Sequence, residues 1–235
     1  MKVIILAGGL GTRLSEYTKT IPKPMVLING KPMILRIMNF FSKYGFKDFY
    51  IALGYKGDII RKYFKKNLRN YDWNVNLIDT GKKTMTGGRL KRLKKYLGNE
   101  TFLMTYGDGL SNVNLKRLIQ SHKKNNKMVT LTAVRPPARF GYLKLKGHFV
   151  NYFKEKSKAD EGWINGGFFV MEPEFLRFIK SDQTYLEREP LEKLTKIKNL
   201  CAFKHKGFWQ CVDTVRDKKN LELSLKNKKY KLLFD

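Results

Sequence analysis

The chain's apolar pattern opens with an unbroken run, Val3-Ile4-Ile5-Leu6, that stops abruptly at Gly8-Gly9. A continuous β-branched run of this kind marks a parallel strand buried on both faces, so residues 2–6 predict a strand. Helical spacing follows over 32–44, with Pro32 suited to a first turn and Gly45 to a C-terminal stop. The pattern then alternates. Strands are predicted at 49–53, 75–79, 101–106 and 128–134. Helices are predicted at 59–66, with Asp58 able to cap it, at 89–97, closed by Gly98, and at 115–124. Residues 21–25, Ile-Pro-Lys-Pro-Met, read as a rigid extended connector, because proline disfavours helix in the residue before it.

The second half changes character. Residues 140–146 and 148–153 straddle Gly147 and predict an antiparallel hairpin. A strand is expected at 165–171, helices near 174–180 and 189–196, and a closing helix from Thr214. Strand–helix alternation followed by a hairpin predicts an α/β class: a mixed, mostly parallel sheet flanked by helices, with a small antiparallel hairpin. With no internal repeat and no low-complexity linker, residues 1–235 read as a single domain.

Charge complicates this picture. The net charge is +28, from 48 basic and 20 acidic residues. That excess invites a nucleic-acid reading. Its make-up argues against one: 36 of the basic residues are lysines spread along the chain, whereas base and phosphate forks favour arginine. A positive field would still gather a phosphorylated substrate. No apolar stretch approaches the ~18 residues of a membrane span, so a cytosolic protein without membrane partners is expected. Cys201 and Cys211 show neither a disulfide framework nor metal-ligand spacing and are expected to be reduced thiols. His122, His148 and His205 show no clustered spacing.

The chemistry begins at residues 6–14, L-A-G-G-L-G-T-R-L. A glycine-rich turn after a strand can line an anion with backbone N–H groups, and Arg13 adds a charged fork. No G-K-[ST] appears, so this is not a Walker loop. Gly9-x-Gly11 lacks the third glycine of a dinucleotide fingerprint, and no acidic residue lies between Glu16 and Asp48 to hold a ribose. Lys23, between two prolines, is presented rigidly ten residues beyond Arg13.

Further motifs follow in order: Asp79-Thr80-Gly81, then Met85 to Arg92 (M-T-G-G-R-L-K-R), then Thr105-Tyr106-Gly107-Asp108-Gly109. After these come Pro136-Pro137-x-Arg139-Phe140-Gly141, W-I-N-G-G-F-F-V at 163–170, Glu189-Pro190-Leu191, and Gly207-Phe208-Trp209-Gln210-x-x-Asp213-Thr214. Together with the glycine turn, these resemble the sugar-1-phosphate nucleotidyltransferases, nearly end to end. They are most similar to the cytidylyltransferase branch that makes CDP-glucose. The glycine turn alone would fit many such enzymes; T-G-G-R-L-K-R and G-F-W-Q-x-x-D-T are much narrower.

The resemblance implies a Rossmann-like nucleotidyltransferase fold. It also implies transfer from CTP to α-D-glucose 1-phosphate, with pyrophosphate leaving. It carries roles onto particular residues. Leu6, Ala7, Gly8, Gly9, Gly11, Thr12 and Gly107 would hold the nucleotide, and Thr84, Gly88 and Arg89 would line the cytosine pocket. Arg13 would hold the departing phosphates and Lys23 would neutralise the attacking and transferred ones. Asp108 and Asp213 would ligate Mg²⁺, a hard cation that takes carboxylates and phosphate oxygens. Glu155, Lys156, Asn165 and Gly166 would hold the sugar phosphate. Trp209 reads equally as sugar platform and as core.

The chain departs from the family pattern in two places. Only a short link joins Phe64 to Trp73, where the family carries a longer insertion, and E-K-P is Glu155-Lys156-Ser157. Another sugar 1-phosphate or nucleoside triphosphate therefore stays open, as does a homo-oligomer. The reading from a different class is a basic polyanion- or nucleic-acid-binding protein on the same fold.

Overall fold

The computed structural model describes residues 1–136, 141–154 and 162–235. Among these, one sheet of seven strands organises the molecule. In spatial order its strands are Leu200–His205, Val129–Val134, Ile164–Met171, Phe102–Tyr106, Val3–Leu6, Asp48–Leu53 and Asn74–Asp79. Ile164–Met171 runs antiparallel to both neighbours, and the other pairings are parallel. The mixed, mostly parallel sheet is as expected.

The unbroken apolar run of the first strand has a simple cause. Val3 and Ile5 face one core, Ile4 and Leu6 the other, and none exceeds 7% exposure. Each such burial contributes roughly 1.5–3 kcal/mol. The helix Met33–Ser42 packs into the first core, where Phe40 and Phe41 meet Phe168. It also carries a buried arginine. Arg36 is satisfied by donating from Nε and Nη2 to the Ile28 carbonyl (3.1 and 2.6 Å) and by pairing with Asp235. The second core gathers Leu90, Leu97, Phe102, Phe169 and Phe175.

Several elements differ from expectation. The 21–25 connector is not extended throughout: after extended Pro22, Lys23–Met25 forms a 3₁₀ turn. Asp58 lies inside the first turn of the helix Gly57–Asn67, whose cap is Lys56 in the left-handed region. The single helix expected at 89–97 is two, Thr86–Arg92 and Lys94–Leu97, closed by Gly98 at φ 65°. The helix expected near 174–180 is a 3₁₀ segment, Pro173–Phe178. The short strands Gly109–Ser111 and Trp209–Cys211, which pair with each other, and the edge strand Leu200–His205 had no strong sequence signal. The hairpin is present as Tyr142–Lys146 and Phe149–Lys154; Arg139 and Phe140 lie outside the described residues.

The short link after Phe64 is folded onto the body. Tyr71 stacks on Trp73 at 4.1 Å, Trp73 meets Phe49 edge-on, and its Nε1 donates to Ser42 Oγ (3.0 Å). No described helix is long and apolar enough to cross a membrane.

Candidate active site

Register builds the site. Leu6 pairs with Ala52 on one side and Tyr106 on the other, so three parallel strands end at one level. Their following residues, Ala7-Gly8, Gly54 and Gly107, therefore lie side by side, at the carboxyl ends where open α/β sheets place ligands. Gly107 N–H donates to Leu6 O and Tyr55 N–H to Gly8 O (3.0 and 3.1 Å). Gly107 is required for packing: a Cβ there would meet Pro24 Cγ at 2.8 Å. The glycine turn closes at Gly11, left-handed at φ 67°, whose carbonyl accepts from the buried Thr18 hydroxyl at 3.0 Å.

A cleft of about 330 Å³ opens here. Residues 6–9 and 11–13, Lys23 with Pro24, Thr84–86, Arg89, residues 106–108 and Tyr185 line it. Twelve of the residues singled out from the sequence thus share one cavity, though they span the chain from Leu6 to Asp108.

The charged end of the cleft is a four-residue cluster. Lys23 Nζ donates to Asp108 Oδ2 and to Asp213 Oδ1, both at 2.7 Å. Arg13 Nη1 meets the other oxygen of Asp213 at 2.9 Å, from a side chain 74% exposed. Asp213 is positioned by the next helix, Val215–Ser224. Thr214 caps it, and Asp217 accepts from the N–H groups of both Asp213 and Thr214 (3.1 and 2.9 Å). Burial opposes charge on Lys23, but Asp108 and Asp213 outweigh it and hold its ammonium above the ordinary value. Burial would raise the Asp213 carboxyl. The Lys23 hydrogen bond and charge, with Arg13, hold it below the ordinary value instead. Cys211, 3.8 Å from Asp213, is pushed up to about 12 by burial and then by the two aspartates, so its thiol keeps its proton. Cys201 and Cys211 are both free.

The opposite wall is organised by Arg89, only 4% exposed. Its Nη1 donates to Leu53 O (3.0 Å), Thr80 Oγ1 (2.8 Å) and Gly81 O (2.7 Å), and its Nη2 to Gly8 O (2.9 Å). The guanidinium lines the cleft, but both of its terminal nitrogens are committed to protein oxygens. It ties together three strand-end loops. A methyl at Gly8 or Gly54 would run into it. Gly8 therefore answers first to Arg89, whereas Gly9 has open space around it. Burial lowers the Arg89 pKa, with Asp79 opposing and Arg92 adding to the effect.

Three expected site residues sit elsewhere. Gly88 is turned away from the cavity: a Cβ there would collide with the Asp182 backbone. Gly166 is held by contact instead. Trp209 Nε1 donates to its carbonyl at 2.7 Å, and a Cβ would meet Val134 Cγ1 at 2.8 Å. Trp209 itself packs, half-buried, against the first core. Asn165 lies beside the cleft, donating to Tyr106 Oη at 3.3 Å. Glu155 and Lys156 lie outside the described residues.

One wall had no sequence signal. The loop at 181–188 backs the Thr84–Arg89 stretch: Met85 N–H donates to Asp182 O (2.8 Å), and Leu186 N–H to Thr86 Oγ1 (2.9 Å). From it Tyr185 enters the cleft, and Glu187 reaches Tyr106 and Thr86. These contacts join residues about a hundred positions apart, beyond any local spacing rule. Among the described residues, no group of three or more His, Cys, Asp or Glu side chains forms that could hold a metal.

Comparison with known proteins agrees with this geometry. Residues 2–217 match the model of the "Nucleotidyl transferase" family. The chain is 48% identical to glucose-1-phosphate cytidylyltransferase of Salmonella typhimurium, over 94% of this chain and 95% of that protein. It is 31% identical to mannose-1-phosphate guanyltransferase of Aspergillus oryzae, over 92% of this chain and 62% of that one. Among solved structures, HddC from Yersinia pseudotuberculosis superposes with a TM-score of 0.76 at 29% identity, covering 95% of this chain and 99% of that one. A cleft at the ends of parallel strands, a glycine turn and a lysine–aspartate cluster thus sit in a chain that belongs to the nucleotidyl transferase family.

Proposed function

We propose that the cleft binds CTP and α-D-glucose 1-phosphate and joins them into CDP-glucose, releasing pyrophosphate. The observation that carries this is the cluster at its charged end: one lysine between two aspartates, with an arginine at the mouth of the glycine turn. The 48% identical cytidylyltransferase supports the choice of substrates.

In this reading a sugar-phosphate oxygen attacks the α-phosphorus in line. A new P–O bond forms as the bond to the β-phosphate breaks. The protein forms no covalent bond; it holds two polyanions together and neutralises charge as it develops. Backbone N–H groups of the glycine turn hold the triphosphate. Arg13, exposed at the mouth, takes the departing pyrophosphate. Lys23 exchanges a carboxylate for phosphate oxygens. Thr84 and Arg89 form the base side, Arg89 by holding the loops together. Asn165, through Tyr106, faces the sugar, with Glu155 and Lys156 contributing to the same subsite.

The donor set also suits a divalent cation. Asp108 and Asp213 converge on one point, Lys23 Nζ, which now supplies the positive charge between them. Two carboxylates with phosphate oxygens and water make the hard-oxygen shell that Mg²⁺ prefers. Bound there, Mg²⁺ would supply Lewis-acid stabilisation of the phosphates. We read residues 1–235 as a single domain of a cytosolic enzyme.

The test is pyrophosphate release from CTP, UTP, dTTP and GTP, each with glucose 1-phosphate and mannose 1-phosphate. CTP with glucose 1-phosphate should turn over fastest. UTP or dTTP outpacing CTP, or GTP with mannose 1-phosphate leading the panel, overturns the substrate assignment.

A further inference from the structure

Glu187 stands on the exposed loop that backs the cleft, and its carboxylate is fully engaged. Oε1 accepts from the Tyr106 hydroxyl and Oε2 from the Thr86 hydroxyl, both at 2.7 Å. Thr86 belongs to the 84–89 wall. Tyr106 immediately precedes Gly107-Asp108 on the other wall and accepts from Asn165 at 3.3 Å.

The choice of partners is informative. The chain carries 48 basic residues against 20 acidic ones, yet no described lysine or arginine pairs with Glu187. An exposed carboxylate in such a field gains little from two neutral hydroxyls unless their position is what matters. Tyr106 is suited to be held. Its ring lies against Gly167, where a Cβ would come within 2.7 Å of Cδ2, and edge-on to Phe169 at 5.9 Å. Burial, then the Glu187 charge, push its phenol well above the ordinary value, so it remains a donor to the carboxylate across the neutral range.

We propose that Glu187 is a positioning residue that braces the two walls of the cleft against each other, through Tyr106 and Thr86. The brace runs Thr86–Glu187–Tyr106–Asn165 and fixes the wall carrying Asp108 relative to the wall carrying Arg89. Its kinetic readout rests on the transferase reading above. Glu187 touches no reacting atom in that scheme, so its loss should loosen substrate binding more than it slows the chemical step.

The experiment compares Glu187→Ala, Glu187→Gln, Tyr106→Phe and the Glu187→Ala/Tyr106→Phe double variant, assayed with whichever substrate pair leads the panel. The brace is thereby tested even if CTP and glucose 1-phosphate are not that pair. Glu187→Ala should raise both KM values by about tenfold, the size of a lost hydrogen bond to a charged group, with kcat within about threefold. Glu187→Gln, which can still bond both hydroxyls, should recover most of the loss. In the Tyr106→Phe background, Glu187→Ala should add less than about threefold, because residues acting as one unit are non-additive. Thermal unfolding of Glu187→Ala should stay close to wild type, since the side chain is exposed. Unchanged KM values, a fall in kcat alone, or fully additive effects would each overturn the proposal.

Discussion

Of the three cations that line the cleft, the fold treats Lys23 and Arg89 in opposite ways. Lys23 sits between two carboxylates that raise its affinity for its proton. Arg89 is buried more deeply and, among the described residues, has no carboxylate within ion-pair reach; it is caged by carbonyl and hydroxyl oxygens, and burial lowers its pKa. Lys23 is a point charge on a flexible stem that can exchange one anionic oxygen for another. Arg89 is a planar fork whose geometry suits fixed acceptors on three separate loops. The difference separates a charge that can act on a substrate from one that assembles the walls around it. Residue type alone does not distinguish them; the partners do.

The sharpest way to break this comparison is turnover. Lys23→Met should lower kcat by about 10³-fold, the scale of losing a preorganised charge at the transferring phosphate, while the protein still folds. Turnover near wild type would remove Lys23 from the chemistry.

Stability against pH separates the pair further. Near pH 7, urea unfolding should show both Lys23→Met and Arg89→Met destabilised by about 3 kcal/mol, each leaving its oxygen partners without their cation. The Lys23→Met deficit should shrink on acidification. Lys23 holds the Asp213 carboxyl below its ordinary 3.8, so the stability this gives the wild type is present above that value and lost as pH falls beneath it. The Arg89→Met deficit should stay level through that same fall below about pH 4, because carbonyl and hydroxyl oxygens do not titrate there. Parallel slopes would mean that the two cations are not of different kinds.

The smallest effects come from the adjacent glycines. Gly8→Ala, whose methyl would enter the Arg89 guanidinium, should cost about 1–3 kcal/mol. Gly9→Ala has open space and should stay within about 0.5 kcal/mol. Equal costs would show that Arg89 does not set the requirement at Gly8.

Much of this was legible before the structure. Strand 2–6 follows from its unbroken apolar run, and the helix after Pro32 and the strand–helix alternation through residue 134 from helical spacing and short apolar runs, which local sequence carries directly. Lys23 stood out between its two prolines, and Asp108 and Asp213 within motifs of the resembled family; Lys23 meets each aspartate at 2.7 Å. The edge strand Leu200–His205 was not legible. Its apolar run, Leu200 to Phe203, is only four residues long and never fully buried, and it is a strand because Val129–Val134 offers a parallel partner. The 181–188 loop was invisible for the same reason: its hydrogen bonds reach back a hundred residues.

By itself, the sequence determined the strand–helix order, the glycine-rich turn after the first strand and the set of charged side chains, because each depends on neighbours along the chain. The tertiary structure decided which charge faces a carboxylate and which faces a carbonyl. It decided that Gly88 packs against the Asp182 backbone and Gly166 against Val134, and that Glu187 meets both Tyr106 and Thr86. Those outcomes depend on strand register and on loops meeting at one edge of the sheet, and no local spacing encodes such meetings.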